Sequence, residues 1–131
     1  TGLKENLLSR GVDLIEFSSF QKREDIVNFY MNIDLQIVWR PYIWRNKIRL
    51  SNPLKLVNSA SFGIPTVTLD EPSFNELGDI YFKVKNLEEF LQTLDNLSSS
   101  PSLYDEYSQK CIKKAETYHI ENIAKLYKAL K

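Results

Sequence analysis

The chain predicts an α/β fold, an open parallel sheet with helices on both faces. Three observations predict it. Two segments, Leu35–Trp39 and Ile64–Leu69, are apolar almost without interruption, as strands covered on both faces are. The stretches beside them carry apolar residues at helical spacing. Strand and helix signals alternate along the chain, and that order builds parallel sheets.

Taken in order, Val12–Phe17 is short, branched and partly alternating, and predicts a strand. Ser18 and Ser19 offer a cap for a helix over Gln21–Asn32, where Ile26, Val27, Phe29, Tyr30 and Ile33 form an apolar stripe. Leu35–Trp39 is the second strand, and Pro41 ends it. Residues 40–50 read as a loop. Ser51 or Asn52 caps the next helix, and Pro53 suits a first turn because that position needs no N–H. Leu54, Val57, Ala60 and Ser61 give it a sheet-facing side. Gly63 stops it with the left-handed geometry glycine tolerates. Ile64–Leu69 is the third strand, 70–78 is turn-rich, and Asp79–Lys85 is a weaker fourth strand. Asn86 caps an amphipathic helix through Leu87, Phe90, Leu91, Leu94 and Leu97. Ser98–Pro101 breaks it. A last helical region runs from Ser102 to Lys131, split near Tyr118–Ile120, and the C-terminal helices are expected to pack on the sheet.

A chain of 131 residues forms one domain with one core. Seventeen basic side chains balance seventeen acidic ones, so nothing global favours nucleic acid or an anionic membrane. Only the local distribution of charge informs. The single cysteine, Cys111, excludes an internal disulfide and fits a reducing, cytoplasmic compartment. No run approaches the ~18 apolar residues of a membrane span. The first residue is Thr1 and the chain opens in mid-pattern, so the expectation is a piece of a longer protein whose missing part is N-terminal.

Between Asp34 and Asp70 there is no acidic residue, yet Arg40, Arg45, Lys47, Arg49 and Lys55 lie there. One reading is a solvated loop whose charges keep it soluble. The other is a polyanion site, with arginine gripping phosphate oxygens in pairs and lysine acting as a point charge. A capped helix N-terminus follows directly, and its unpaired N–H groups favour anions. Trp39 reads as the end of a buried strand. Tyr42 and Trp44, inside the loop, are the candidates for stacking on a base. In a parallel sheet the loops after the strands gather at one edge, where ligands of open α/β sheets bind.

Pro53, Lys55 and Asn58, followed by Gly63, Pro65 and Val67, resemble the P-x-K-x-x-E-x-x-x-x-G-x-P-V-V segment of GT-B glycosyltransferases of the group-1 type. That segment belongs to their C-terminal, Rossmann-like half, which binds the nucleotide-sugar donor. The flanks resemble the family in the same order. "IVNFYMNIDLQIV" is similar to its helix and strand, "LEEFLQTLDNLSSSPSLYDEYSQKC" to its late helix pair, and "YHIENIAKLYKAL" to its closing helix, so the resemblance covers nearly all of the chain. It implies that Lys55 contacts the donor diphosphate, while Ser51 and Asn52 open the helix whose N–H groups face it. Asn58 holds the place of a glutamate that binds the donor ribose hydroxyls. An amide there bonds a hydroxyl without charge assistance. The E-x7-E pattern of many retaining members is absent. Asp70, Glu71 and Glu76 fall where the family has a loop near the sugar, with Glu76 the catalytic candidate.

The resemblance further implies that the acceptor domain and the first βα units lie outside these residues. Such enzymes often work at the inner membrane face, reached through that other half. No D-x-D and no Cys/His cluster occurs, so neither metal nor cofactor is expected beyond the nucleotide-sugar substrate. There is no G-x-G-x-x-G or P-loop pattern. His119 and Cys111 read as structural. Three other readings stay open: a non-hydrolysing nucleotide-sugar epimerase, a catalytically silent nucleotide-binding module, and a single-strand nucleic-acid binder.

Overall fold

The computed structural model describes residues 2–16, 19–39 and 52–130. In chain order these form α1 (Gly2–Ser9), α2 (Arg23–Met31), β1 (Gln36–Val38), α3 (Leu54–Ser61), β2 (Thr66–Leu69), a 3-10 helix (Pro72–Leu77), β3 (Tyr81–Val84), α4 (Leu87–Ser99), α5 (Pro101–Glu116) and α6 (Ile120–Lys128). The strands form one parallel sheet in the order β1-β2-β3. Gln36 lies opposite Thr66, and Thr66 opposite Tyr81. The fold is the expected open parallel α/β sheet.

Alternation along the strands divides the core in two. On one face Val38 and Tyr81 pack with Leu56 and Ala60 of α3, Phe74 and Leu77 of the 3-10 helix, and Cys111 of α5. On the other, Val67, Leu69 and Val84 pack with Leu97 of α4, joined by Phe90, Leu94, Leu103 and Tyr104. Both faces therefore carry helices, and β2, at the centre, is buried at all four residues. α5 spans both clusters. α6 contributes no buried residue.

Local chemistry explains the boundaries. Asn86 Oδ1 accepts the Glu89 N–H at 2.9 Å, and Glu89 returns the bond to the Lys85 N–H at 2.9 Å, which starts α4. Ser100 accepts the Leu103 N–H and ends the gap between α4 and α5, so the expected break narrows to that residue. His119 caps α6 through Nδ1 and the Glu121 N–H, which places the expected split at 117–119. Gly63, with φ +69°, follows α3 and turns the chain into β2.

Three expectations need correction. Val12–Glu16 is not a strand. A strand needs a neighbour to satisfy its backbone, and among the described residues none lies beside it. The Lys4–Glu16 ion pair, 2.9 Å, instead ties the segment to α1, a helix the sequence reading did not anticipate. The serine cap of α2 is displaced as well. That helix starts at Arg23, and Asp25 Oδ2 accepts the N–H groups of Gln21 and Lys22. Pro53 precedes α3 as its N-cap, its carbonyl accepting from Leu56 and Val57, instead of lying in the first turn.

Candidate functional site

Of the residues singled out by sequence, Asn52 and Lys55 lie where α3 begins. Asn52 stands one residue before the Pro53 cap, its Oδ1 accepting the Leu54 N–H at 3.2 Å. Its side chain thus engages the helix itself. Lys55, in the first turn, is exposed and has no ion-pair partner among the described residues. It borders a cleft of about 420 Å3 whose other walls include Phe29, Ile33, Leu35 and Trp39. Trp39 is half-buried and meets Phe90 edge-on, with ring centroids 5.1 Å apart. Its indole belongs to the core on one side and to this cleft on the other.

A polar chain fixes α3 against the sheet beneath that cleft. Gln36 Nε2 donates to the Lys55 carbonyl at 3.1 Å and to Thr66 Oγ1 at 3.3 Å. Thr66 Oγ1 in turn lies 3.0 Å from Ser59 Oγ, and Ser59 and Thr66 are both buried. Buried hydroxyls demand such partners, since an unpaired one costs about 1–3 kcal/mol. The network holds the backbone of Lys55 in place while its ammonium stays in solvent.

Asn58 is half-buried. The nearby Tyr30 phenol donates to Gln36 Oε1 at 3.4 Å. Burial pushes that phenol above its ordinary range, and the Asn58 side chain partly offsets the effect. Tyr30 also stacks on Phe62, centroids 5.1 Å apart, which ties the end of α3 to α2. Asn58 and Lys55 border different clefts. The one at Asn58, about 680 Å3, is shared with Arg23, Tyr118 and His119.

Glu76 is exposed in the 3-10 helix. Tyr118 is raised above its ordinary pKa first by burial and then by the charge of Glu76. Glu76 therefore lies within electrostatic reach of Tyr118, and it lines neither the Lys55 nor the Asn58 cleft. Glu71, two residues beyond β2, is the carboxylate that the fold encloses among the described residues, at 3% exposure. Asp70, immediately behind the strand, is exposed, so the place after a buried strand does not by itself distinguish Glu71.

Arg40, Tyr42, Trp44, Arg45, Lys47, Arg49 and Ser51 lie outside the described residues. Among the described residues no group of three or more His, Cys, Asp or Glu is arranged to hold a metal ion. No helix among them is long and apolar enough to cross a membrane.

Cys111 is a structural thiol. Burial pushes it up to about 11, and its Sγ–H donates to the Ile80 carbonyl at 3.3 Å. The thiolate is the reactive form. The native protein at pH 8 is thus expected to resist alkylation by iodoacetamide, with one equivalent incorporated in urea, as mass spectrometry reads directly. Rapid labelling without denaturant would contradict the packing at Cys111.

No protein-family model matches the chain, and no curated protein or solved structure is significantly similar to it.

Proposed function

We propose that this chain is the later portion of the donor-binding half of a GT-B glycosyltransferase, holding the diphosphate of a nucleotide sugar without a metal. The observation that carries the reading is Lys55. An ammonium with no ion-pair partner among the described residues stands in the first turn of α3, beside an aromatic-walled cleft along β1, and its backbone is anchored by Gln36. A helix N-terminus and a cation together favour a phosphorylated ligand. The spacing of Pro53, Lys55, Gly63 and Pro65 supports the same assignment. In such a site the protein acts by positioning the donor and neutralising the leaving diphosphate. Arg40, Arg45, Lys47 and Arg49 would supply further cations, Ser51 and Asn52 the opening of the helix, and Tyr42 or Trp44 a stacking surface. Glu76 remains the catalytic candidate of this reading. The acceptor and its activating base would come from another domain, so this portion alone binds without turning over.

Asn58 has a second reading. Its place in a cleft apart from Lys55 favours a silent nucleotide-binding module in which the ribose contact is lost.

Calorimetric titration with UDP, GDP and dTDP, set against a short single-stranded oligonucleotide, tests the proposal. A nucleoside diphosphate is expected to bind and the oligonucleotide to bind more weakly. Binding of the oligonucleotide alone would sink it. Lys55→Ala should weaken diphosphate binding by about 1.5–3 kcal/mol, roughly ten- to a hundredfold. An unchanged affinity would remove Lys55 from the site.

A further inference from the structure

The one histidine of the chain stands where the last helix begins. His119 precedes α6 in an extended conformation, and its Nδ1 accepts the Glu121 N–H at 3.4 Å. An acceptor at Nδ1 requires a neutral ring with its proton on Nε2. The imidazole is the side chain whose charge ordinarily changes between pH 5 and 8. A second proton would turn Nδ1 from an acceptor into a donor that faces another donor. It would also set a cation at a helix N-terminus, where the dipole disfavours it.

Packing does not hold this helix as it holds its neighbours. α4 and α5 each bury a side chain, Leu97 and Cys111, whereas α6 buries none. Within α6 only Asn122 and Ile123 are even half-buried. What secures its first turn is local. The N–H groups of Asn122 and Ile123 donate to the His119 carbonyl, and Asn122 Nδ2 donates back to the Glu116 carbonyl of α5 at 2.7 Å. A helix of nine residues is marginal in water when such interactions alone support it. The bonds that start α6 therefore decide whether it persists, and the imidazole cap is the one that a proton removes.

The surroundings of the ring are mixed in charge. His119 shares the cleft of about 680 Å3 with Arg23 of α2 and Glu116 of α5, and α3 contributes the uncharged Asn58 and Ser61. Tyr118 precedes it in the same cleft, and Glu121 lies in the first turn of α6. Two carboxylates and one guanidinium are thus the charges that an imidazolium meets there.

We propose that His119 is a proton-sensitive latch, which caps α6 as the neutral imidazole and releases the helix when it takes a proton. The dependence on pH has one sign. The cap is fully present where the ring is neutral and is lost as the pH falls through the range in which the ring charges. Loss of a cap and a cation at the N-terminus act in the same direction, together about tenfold on the helix equilibrium. That is enough to tip a marginal helix. Because His119, Ile120 and Asn122 line the cleft that Asn58 borders, release of α6 opens that cleft. The latch is independent of the Lys55 cleft and of the donor reading.

The test is nuclear magnetic resonance of the 131-residue protein between pH 8 and pH 5. The Cα chemical shifts of residues 120–128 read the helix, and the His119 ring protons read its charge. The helical shifts of α6 are expected to fall by about half or more at pH 5, in step with the ring, while those of β2 and α5 stay constant. His119→Ser, whose hydroxyl caps without titrating, should keep α6 helical throughout. His119→Ala should weaken it at both ends of the range. Helical shifts that persist after the ring has charged overturn the proposal, and so does a ring still neutral at pH 5. An equal loss in His119→Ser would place the titration in another group. An α6 as helical in His119→Ala at pH 8 as in the parent protein would show that the cap does not hold the helix, and either result sinks the latch.

Discussion

Phe74→Ala is expected to destabilise the domain by about 3–5 kcal/mol, the range for emptying a buried aromatic site. Phe74 is 1% exposed in the middle of the 3-10 helix. Its ring meets Tyr81 edge-on at 6.2 Å and packs in the cluster that joins Val38, Leu56, Leu77 and Cys111. The side chain is therefore the wedge that fixes the segment after β2, which carries Glu71 and Glu76, onto the sheet. A 3-10 helix has poorer hydrogen-bond geometry than an α-helix and gains little by itself, so the surroundings have no strong local preference with which to close the cavity. Against a total stability of order 5–15 kcal/mol, the loss would be plain in a urea melt. Glu76→Ala, at an exposed position two residues away, provides the contrast, with a change within about 0.5 kcal/mol. Equal effects from the two substitutions would mean that Phe74 is not enclosed as described.

The parts of this architecture that could be read in advance are those set by short-range chemistry. Asn86 with Glu89, Gly63, and the near-continuous apolar residues of β2 each state their own structure within a few positions. Val12–Glu16 shows the limit. Its residues suit a strand, but strand formation depends on a partner elsewhere in the chain, and periodicity carries no information about that partner. α1 was silent for a related reason, since Gly2–Ser9 opens on a glycine and offers no cap-and-stripe pattern. The candidate site divides in the same way. The opening of a helix just after Asn52 was legible, though its cap is Pro53. The bond from Tyr30 to Gln36, the separation of Lys55 and Asn58 into two clefts, and the burial of Glu71 in preference to Glu76 all arise from tertiary neighbours. Residue spacing along α3 puts positions 55 and 58 on neighbouring turns, but what lies opposite each of them decides the chemistry.

Gly63→Ala is expected to cost about 2–4 kcal/mol, and for two separable reasons. The backbone at Gly63 has φ +69°, where a Cβ collides with the following carbonyl at a cost of roughly 1–2 kcal/mol. The added carbon would also stand 2.7 Å from Ser108 Oγ and 3.1 Å from Ile112 Cδ1, so α5 must give way, and overpacking of this kind costs about 1–3 kcal/mol. The two terms overlap, because a small rotation that relieves one contact relaxes the other. Gly63 is thus where the turn into β2 and the seat of α5 meet, and this couples the end of α3 to the helix that crosses both halves of the core. Gly11→Ala separates the terms. Gly11 has φ +76° but nothing within 4 Å of an added Cβ, so only the backbone part should appear there. Thermal and urea unfolding of both variants should give a larger loss at Gly63, with Ser108→Ala recovering part of it by removing the closest contact. Equal losses at the two glycines would mean that α5 does not press on the turn, and no recovery from Ser108→Ala would place the strain in the backbone alone.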